Sequence, residues 1–114
     1  MFVSKKRPKI DVTLIDNIVH AHLDYVKHTG IELTCSEISE LLRYSLCNAL
    51  SLPTKGYSER IETIGVGCIG TLSHVLSSYD FANKSLDMRQ GLLEACVYSI
   101  ESARNRVLGV GKYE

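Results

Sequence analysis

Hydrophobic positions recur along this chain with two different periods. Residues 9–14, KIDVTL, alternate strictly: Ile10, Val12 and Leu14 share one side, and Lys9, Asp11 and Thr13 the other. A period of two in residues rich in Val, Ile and Thr is the signal of a strand. Pro8 forbids a helix running in from the preceding arm. From Ile15 onward the period lengthens. Ile15, Ile18, Val19, Leu23 and Val26 return at helical spacing, Asp16 is placed to cap the first turn, and Thr29-Gly30 ends the helix. A second helix is predicted over TCSEISELLRYSLCNAL. Its cap is Thr34 or Ser36, and its apolar stripe is Ile38, Leu41, Leu42, Leu46 and Ala49. A third runs from about Glu59 to Ser77, with Ile61, Ile64, Cys68, Ile69, Leu72, Val75 and Leu76 on one side. A turn at SSYDFANKS leads to a fourth, from about Leu86 to Leu108, which Ser85 can cap.

The predicted class is therefore mainly α, with one short N-terminal strand followed by two helices and then two more. A lone strand leaves its backbone donors and acceptors unpaired. Its natural partner is the same strand of a second copy, so a homodimer or possibly a tetramer is expected. Residues 51–57, within SLPTKGYS, form the one clear linker. They divide the chain into residues 1–50 and a helical region, 58–114, suited to oligomerisation or partner binding.

Composition and charge narrow the picture. The 114 residues fit one compact domain, and 45% hydrophobic with 23% charged is ordinary for a globular protein. No apolar run reaches the roughly 18 residues needed to span a bilayer, and the N-terminus has no secretory pattern, so a cytoplasmic protein is expected. The formal net charge is zero, but Lys5, Lys6, Arg7 and Lys9 crowd the start of the chain. A basic arm on a slightly acidic body fits a polyanion partner, and equally a solubilising tail. Cys35, Cys47, Cys68 and Cys96 fall in apolar patterns without a C-x-x-C pair, and read as small buried hydrophobes. His20 and His22, two apart, lie on different faces of a helix and read as surface or half-buried side chains. No metal site, cofactor or nucleophile–base arrangement is expected, nor enzyme activity.

GVGCIG, residues 65–70, matches G-x-G-x-x-G, the pattern of dinucleotide-binding turns. That motif needs a strand before it and a βαβ unit around it. SERIETI reads instead as a capped first helical turn, and no parallel strand follows. The plainer reading is helix packing: Gly67 and Gly70 let another helix approach closely. Three glycines in a helix interior cost about 2–3 kcal/mol relative to alanine, which close contact must offset.

Strand, helix, glycine turn and helix in this order resemble the ribbon-helix-helix family of DNA-binding proteins, of the Arc/MetJ type. The resemblance covers residues 5–50 and is carried by KKRPKIDVTLIDNIV, KHTG and SEISELLRYSL. It implies a dimer whose paired strands enter the DNA major groove. Lys9, Asp11 and Thr13 would read bases, and Ile10, Val12, Leu14, Ile38 and Leu42 would form the dimer core. Lys5, Lys6 and Arg7, with the amides near Thr34, Cys35 and Ser36, would hold phosphates. The implied function is sequence-specific binding of double-stranded DNA, as a repressor or autoregulator on a plasmid, phage or other mobile element. IETIGVGCIGTLSHVL before a long last helix is faintly similar to plasmid mobilisation accessory proteins, which implies a role in DNA processing. A third reading is a helical adaptor or inhibitor that never touches DNA and binds a protein through residues 58–108.

Overall fold

A computed structural model of the chain describes residues 11–107. Four helices make up most of it: α1 Val12–Thr29, α2 Cys35–Ala49, α3 Glu59–Leu76 and α4 Leu86–Val107. A single 3₁₀ turn, Phe81–Asn83, precedes α4, and there is no strand among the described residues.

The expected strand is overturned where it meets α1. Asp11, not Asp16, is the N-cap: its carboxylate accepts from Thr13 N–H at 2.9 Å. Val12, Thr13 and Leu14 form the first helical turn. The helical period reaches back to Leu14, which is buried on the same stripe as Ile18, Val19 and Val26. Six alternating residues lose to that longer pattern because only the helix sends Leu14 into the core; Val12 is left 68% exposed. Lys9 and Ile10 lie outside the described residues. A mainly α chain with a strand paired between copies is therefore corrected to an all-helical bundle.

The remaining helix ends follow local chemistry. Thr34 and Glu37 form a capping box: Thr34 Oγ1 accepts from Glu37 N–H, and Glu37 Oε1 accepts from Thr34 N–H. Ser58 caps α3 by accepting from Ile61 N–H. Ser85 Oγ accepts from Met88 N–H at the start of α4. Gly30, at φ 70°, supplies the left-handed residue that ends α1.

Side-chain contacts fix the direction of each helix. Arg60, near the start of α3, donates to Glu37 Oε2 at 3.0 Å and to Glu32 O at 2.7 Å, so α3 begins where α2 begins. Arg89, near the start of α4, donates to Leu50 O at the end of α2. Helices α1 and α4 thus run one way, and α2 and α3 the other. Neighbours around the bundle are α1, α3, α2 and α4, which sets α1 and α2 across the core from each other. One hydrophobic core runs through all four helices, with Ile18, Leu41, Leu42, Leu46, Leu72, Leu92 and Ile100 essentially sealed from solvent. Ile38 and Leu42, expected in a core between copies, are buried within this one chain.

Parallel α2 and α3 require the chain between them to travel the length of the bundle. Fifteen residues of α2 span about 22 Å, and the nine residues between the helices, 50–58, can reach at most about 30 Å. The segment is anchored at both ends. Leu52 N–H donates to Cys47 O at 2.7 Å and Ser51 N–H to Asn48 O at 3.2 Å, which is the Schellman pattern, and Leu52 is buried. Tyr57 packs edge-on against Tyr44, ring centres 5.4 Å apart. Ser51 occupies the left-handed position at φ 59°, where a β-carbon is disfavoured by about 1–2 kcal/mol. Ser51→Gly is accordingly expected to raise the unfolding free energy by about 1 kcal/mol in urea titration. No change, or a loss, would show that the motif does not hold this turn.

Candidate functional site

α3 carries most of what distinguishes this bundle, and its glycines answer for themselves one at a time. Gly65 is buried against α2, where a Cβ would collide with the Tyr44 ring. Gly67 faces α1: a Cβ there would lie 2.5 Å from Tyr25 Oη. That hydroxyl donates to Ile64 O at 2.9 Å, and burial raises the phenol's pKa, which keeps it a donor. Gly70 is different. A Cβ on it would meet nothing within 4 Å. Among the described residues nothing uses the space that Gly70 leaves.

Gly70 lies on the floor of an open groove of about 790 Å³ between α1 and α3. Ala21, Asp24, Tyr25 and His28 line it from α1, at spacings of three, four and seven residues that mark one helix face. Gly67, Gly70, Thr71 and His74 repeat the same spacing on α3. Val66, one helical turn before Gly70 on α3 and outside the groove's lining, is 67% exposed, a large apolar side chain left in solvent. Among the described residues, the side chains of Asp24 and His74 have no hydrogen-bond or ion-pair partner within the chain. A smaller cavity of about 190 Å³ lies where α1 begins, with Leu14, Phe81 and Leu92 in its walls.

Beneath the groove the core holds a polar cluster. His22, read from sequence as a surface or half-buried side chain, is fully buried. Its Nε2 is 2.9 Å from Ile38 O and its Nδ1 3.4 Å from Cys68 Sγ. A carbonyl only accepts, so Nε2 carries the proton and donates, and Nδ1 accepts from the thiol. The ring is thereby neutral and satisfied at both nitrogens, tying α1 to α2 and α3. Burial holds its pKa down to about 4 against the opposing pull of the Ile38 carbonyl. Burial likewise pushes the Cys68 thiol up to about 11, with Ser45 drawing it slightly back. Ser45 Oγ, sealed beside it, makes no hydrogen bond of ordinary geometry. The helical phase marks this histidine: His22 falls four after Ile18 and four before Val26, in the buried stripe, whereas His20 falls outside it.

The residues expected to contact DNA are placed elsewhere or otherwise engaged. Asp11 and Thr13 are joined to each other as cap and first turn. Lys5, Lys6, Arg7, Lys9 and Ile10 lie outside the described residues. Of the amides near Thr34, Cys35 and Ser36 expected to hold a phosphate, the Thr34 N–H is taken by the chain's own Glu37 carboxylate. That group's pKa is lowered by the Thr34 backbone N–H and by Arg60. Cys35 is buried, as are Cys47, Cys68 and Cys96, all as free thiols. Among the described residues no group of three His, Cys, Asp or Glu side chains could hold a metal, and no helix is long and apolar enough to cross a membrane.

The buried imidazole sets a pH dependence. His22 is bound as the neutral ring in the native state but takes up a proton near 6.5 when unfolded. Its contribution to stability is full above about pH 6.5 and is lost progressively as pH falls toward 4, on the order of 3 kcal/mol in all. Urea midpoints measured from pH 7 to 4 are expected to fall across that window, and to fall less steeply in His22→Gln. Equal slopes in both proteins would exclude His22 as the titrating group.

Replacement of the strand by the first turn of α1 removes the element on which the ribbon-helix-helix resemblance rested. With it go the predicted DNA-reading ribbon and the repressor role drawn from it, and the faint similarity of IETIGVGCIGTLSHVL to mobilisation accessory proteins is matched by no family model. Comparison with known proteins found no matching family model, no matching curated protein and no matching solved structure.

Proposed function

We propose that this protein works by binding another polypeptide in the groove between α1 and α3, as a helical interaction module without chemistry of its own. The observation that carries the reading is Gly70. It lies in a helix interior, where glycine costs about 1 kcal/mol relative to alanine, and among the described residues nothing occupies the space of the missing β-carbon. Contact with a second molecule is what makes close approach at that position useful. Asp24 and His74 line the same groove and give polar flanks for a partner, and exposed Val66 lies one helical turn before Gly70 on the outer face of α3. The one close pairing of histidine and cysteine, His22 with Cys68, supports the same reading from the other side. Both side chains are sealed in the core, so no substrate reaches them, and the thiol is held protonated.

A photoreactive amino acid placed at position 66 in the cells that make the protein tests this directly. Irradiation is expected to yield a polypeptide adduct from position 66 and none from position 94, an exposed site on α4. No adduct at 66, or equal adducts from both positions, would remove the reading.

A further inference from the structure

The smaller cavity, where α1 begins, has an apolar interior. Leu14 and Leu92, both nearly sealed from solvent, lie at its base, and Tyr79, Phe81 and Met88 form its wall. The Tyr79 and Phe81 rings lean together, centres 5.9 Å apart. At about 190 Å³ it has room for one branched side chain, since an apolar cavity of roughly 150 Å³ takes a benzene-sized group. Asp11 is part of its rim, and Asp11 is also where residues 1–10 join the described chain. The residue next to it is Ile10. Asp11 is extended, at φ −68° and ψ 119°, so the chain leaves the helical path there. An apolar residue just before an N-cap characteristically folds back over the first turn and packs against the fourth helical residue. That residue is Ile15, half-buried and packed on the core, next in sequence to Leu14 at the base of the cavity.

Charge fits the same segment. The charged residues lining the cavity, or next in sequence to those that do, are Asp11, Asp80, Asp87, Lys84 and Arg89. Arg89 is turned to Leu50 O at the end of α2, which leaves three acids against one base. Residues 1–10 carry Lys5, Lys6, Arg7 and Lys9 and no acid. Opposite charge draws such an arm to that end of the bundle.

We infer that this cavity is the docking site of the chain's own N-terminal segment, with the Ile10 side chain inserted against Leu14 and Phe81 and the basic residues before it drawn to Asp80 and Asp87. A side chain tethered at the rim reaches the cavity at a high effective concentration, which a free apolar solute does not. The basic arm is thereby held on the body of the protein at the end where α1 and α4 begin. The inference does not depend on what occupies the groove between α1 and α3.

Two measurements on the full chain test it. The first is a nuclear Overhauser experiment on wild-type protein labelled at the isoleucine δ-methyl groups. The Ile10 methyl is expected to show cross-peaks to the rings of Phe81 and Tyr79. Cross-peaks to Ile15 alone, or none at all, would overturn the insertion. The second is titration with indole, an apolar probe that the cavity can hold, followed through the ring signals of Phe81. Ile10→Gly is expected to keep the helical spectrum and to bind indole at least about tenfold more tightly than the wild type, because the tethered competitor is gone. Equal behaviour of the two proteins would show that Ile10 does not occupy the cavity, and would overturn the inference.

Discussion

Two tyrosines press against the backbone of α3, and the bundle is arranged around that contact. Tyr44 of α2 lies over Gly65 and Tyr25 of α1 over Gly67, each ring in the volume that a β-carbon would fill. The helix between them is therefore approached from both sides at less than ordinary side-chain distance. α2 is seated parallel to α3 with its capping box within reach of Arg60, and α1 antiparallel to it. The connection from α2 to α3 must then run the length of the molecule, which the buried Leu52 and the Tyr44–Tyr57 contact allow it to do in order. The groove follows from the same geometry. α1 leans on α3 where Gly67 lets it, and beyond that point no described residue covers Gly70.

His22 plays the complementary part inside. Hydrophobic packing is tolerant of small rotations, whereas a buried imidazole that must satisfy a carbonyl on α2 and a thiol on α3 is not. It ties α1 to α2 through Ile38 O, and adds to the Tyr25–Ile64 hydrogen bond that already ties α1 to α3. The cost of burying the ring is kept low because it stays neutral, and the same neutrality keeps the His22–Cys68 pair chemically quiet. The polar cluster specifies the core, while Val66 and Gly70 on the outer face of α3 stay exposed.

All four helices were legible in the sequence, because their stripes are long and their caps are ordinary: Thr34, Ser58 and Ser85 mark three of the starts. The first start was misread. KIDVTL satisfies a period of two over only six residues, while Leu14 also belongs to the stripe that continues through Ile18 and Val26, and burial decides between the two. The resemblance to a DNA-binding family depended on that short stretch and fell with it. Of the candidate site, the packing role of the glycines was readable in kind, but not which glycine faces which neighbour. That depends on Tyr25 and Tyr44, some 40 and 20 residues away in sequence, and on a helix order that no local pattern encodes. His22 was readable from its phase in α1, since it shares the buried face with Ile18 and Val26 whereas His20 does not.

The claim at the centre of this account is that the glycines of α3 divide into those the fold consumes and one it leaves for a partner. Unfolding free energies of Gly65→Ala and Gly70→Ala test it most directly. The account predicts opposite signs. Gly65→Ala should lose about 1–3 kcal/mol as Tyr44 is displaced. Gly70→Ala should gain about 1 kcal/mol from helix propensity alone. A loss at Gly70 as large as that at Gly65 would mean that the chain itself needs both, and would contradict the account.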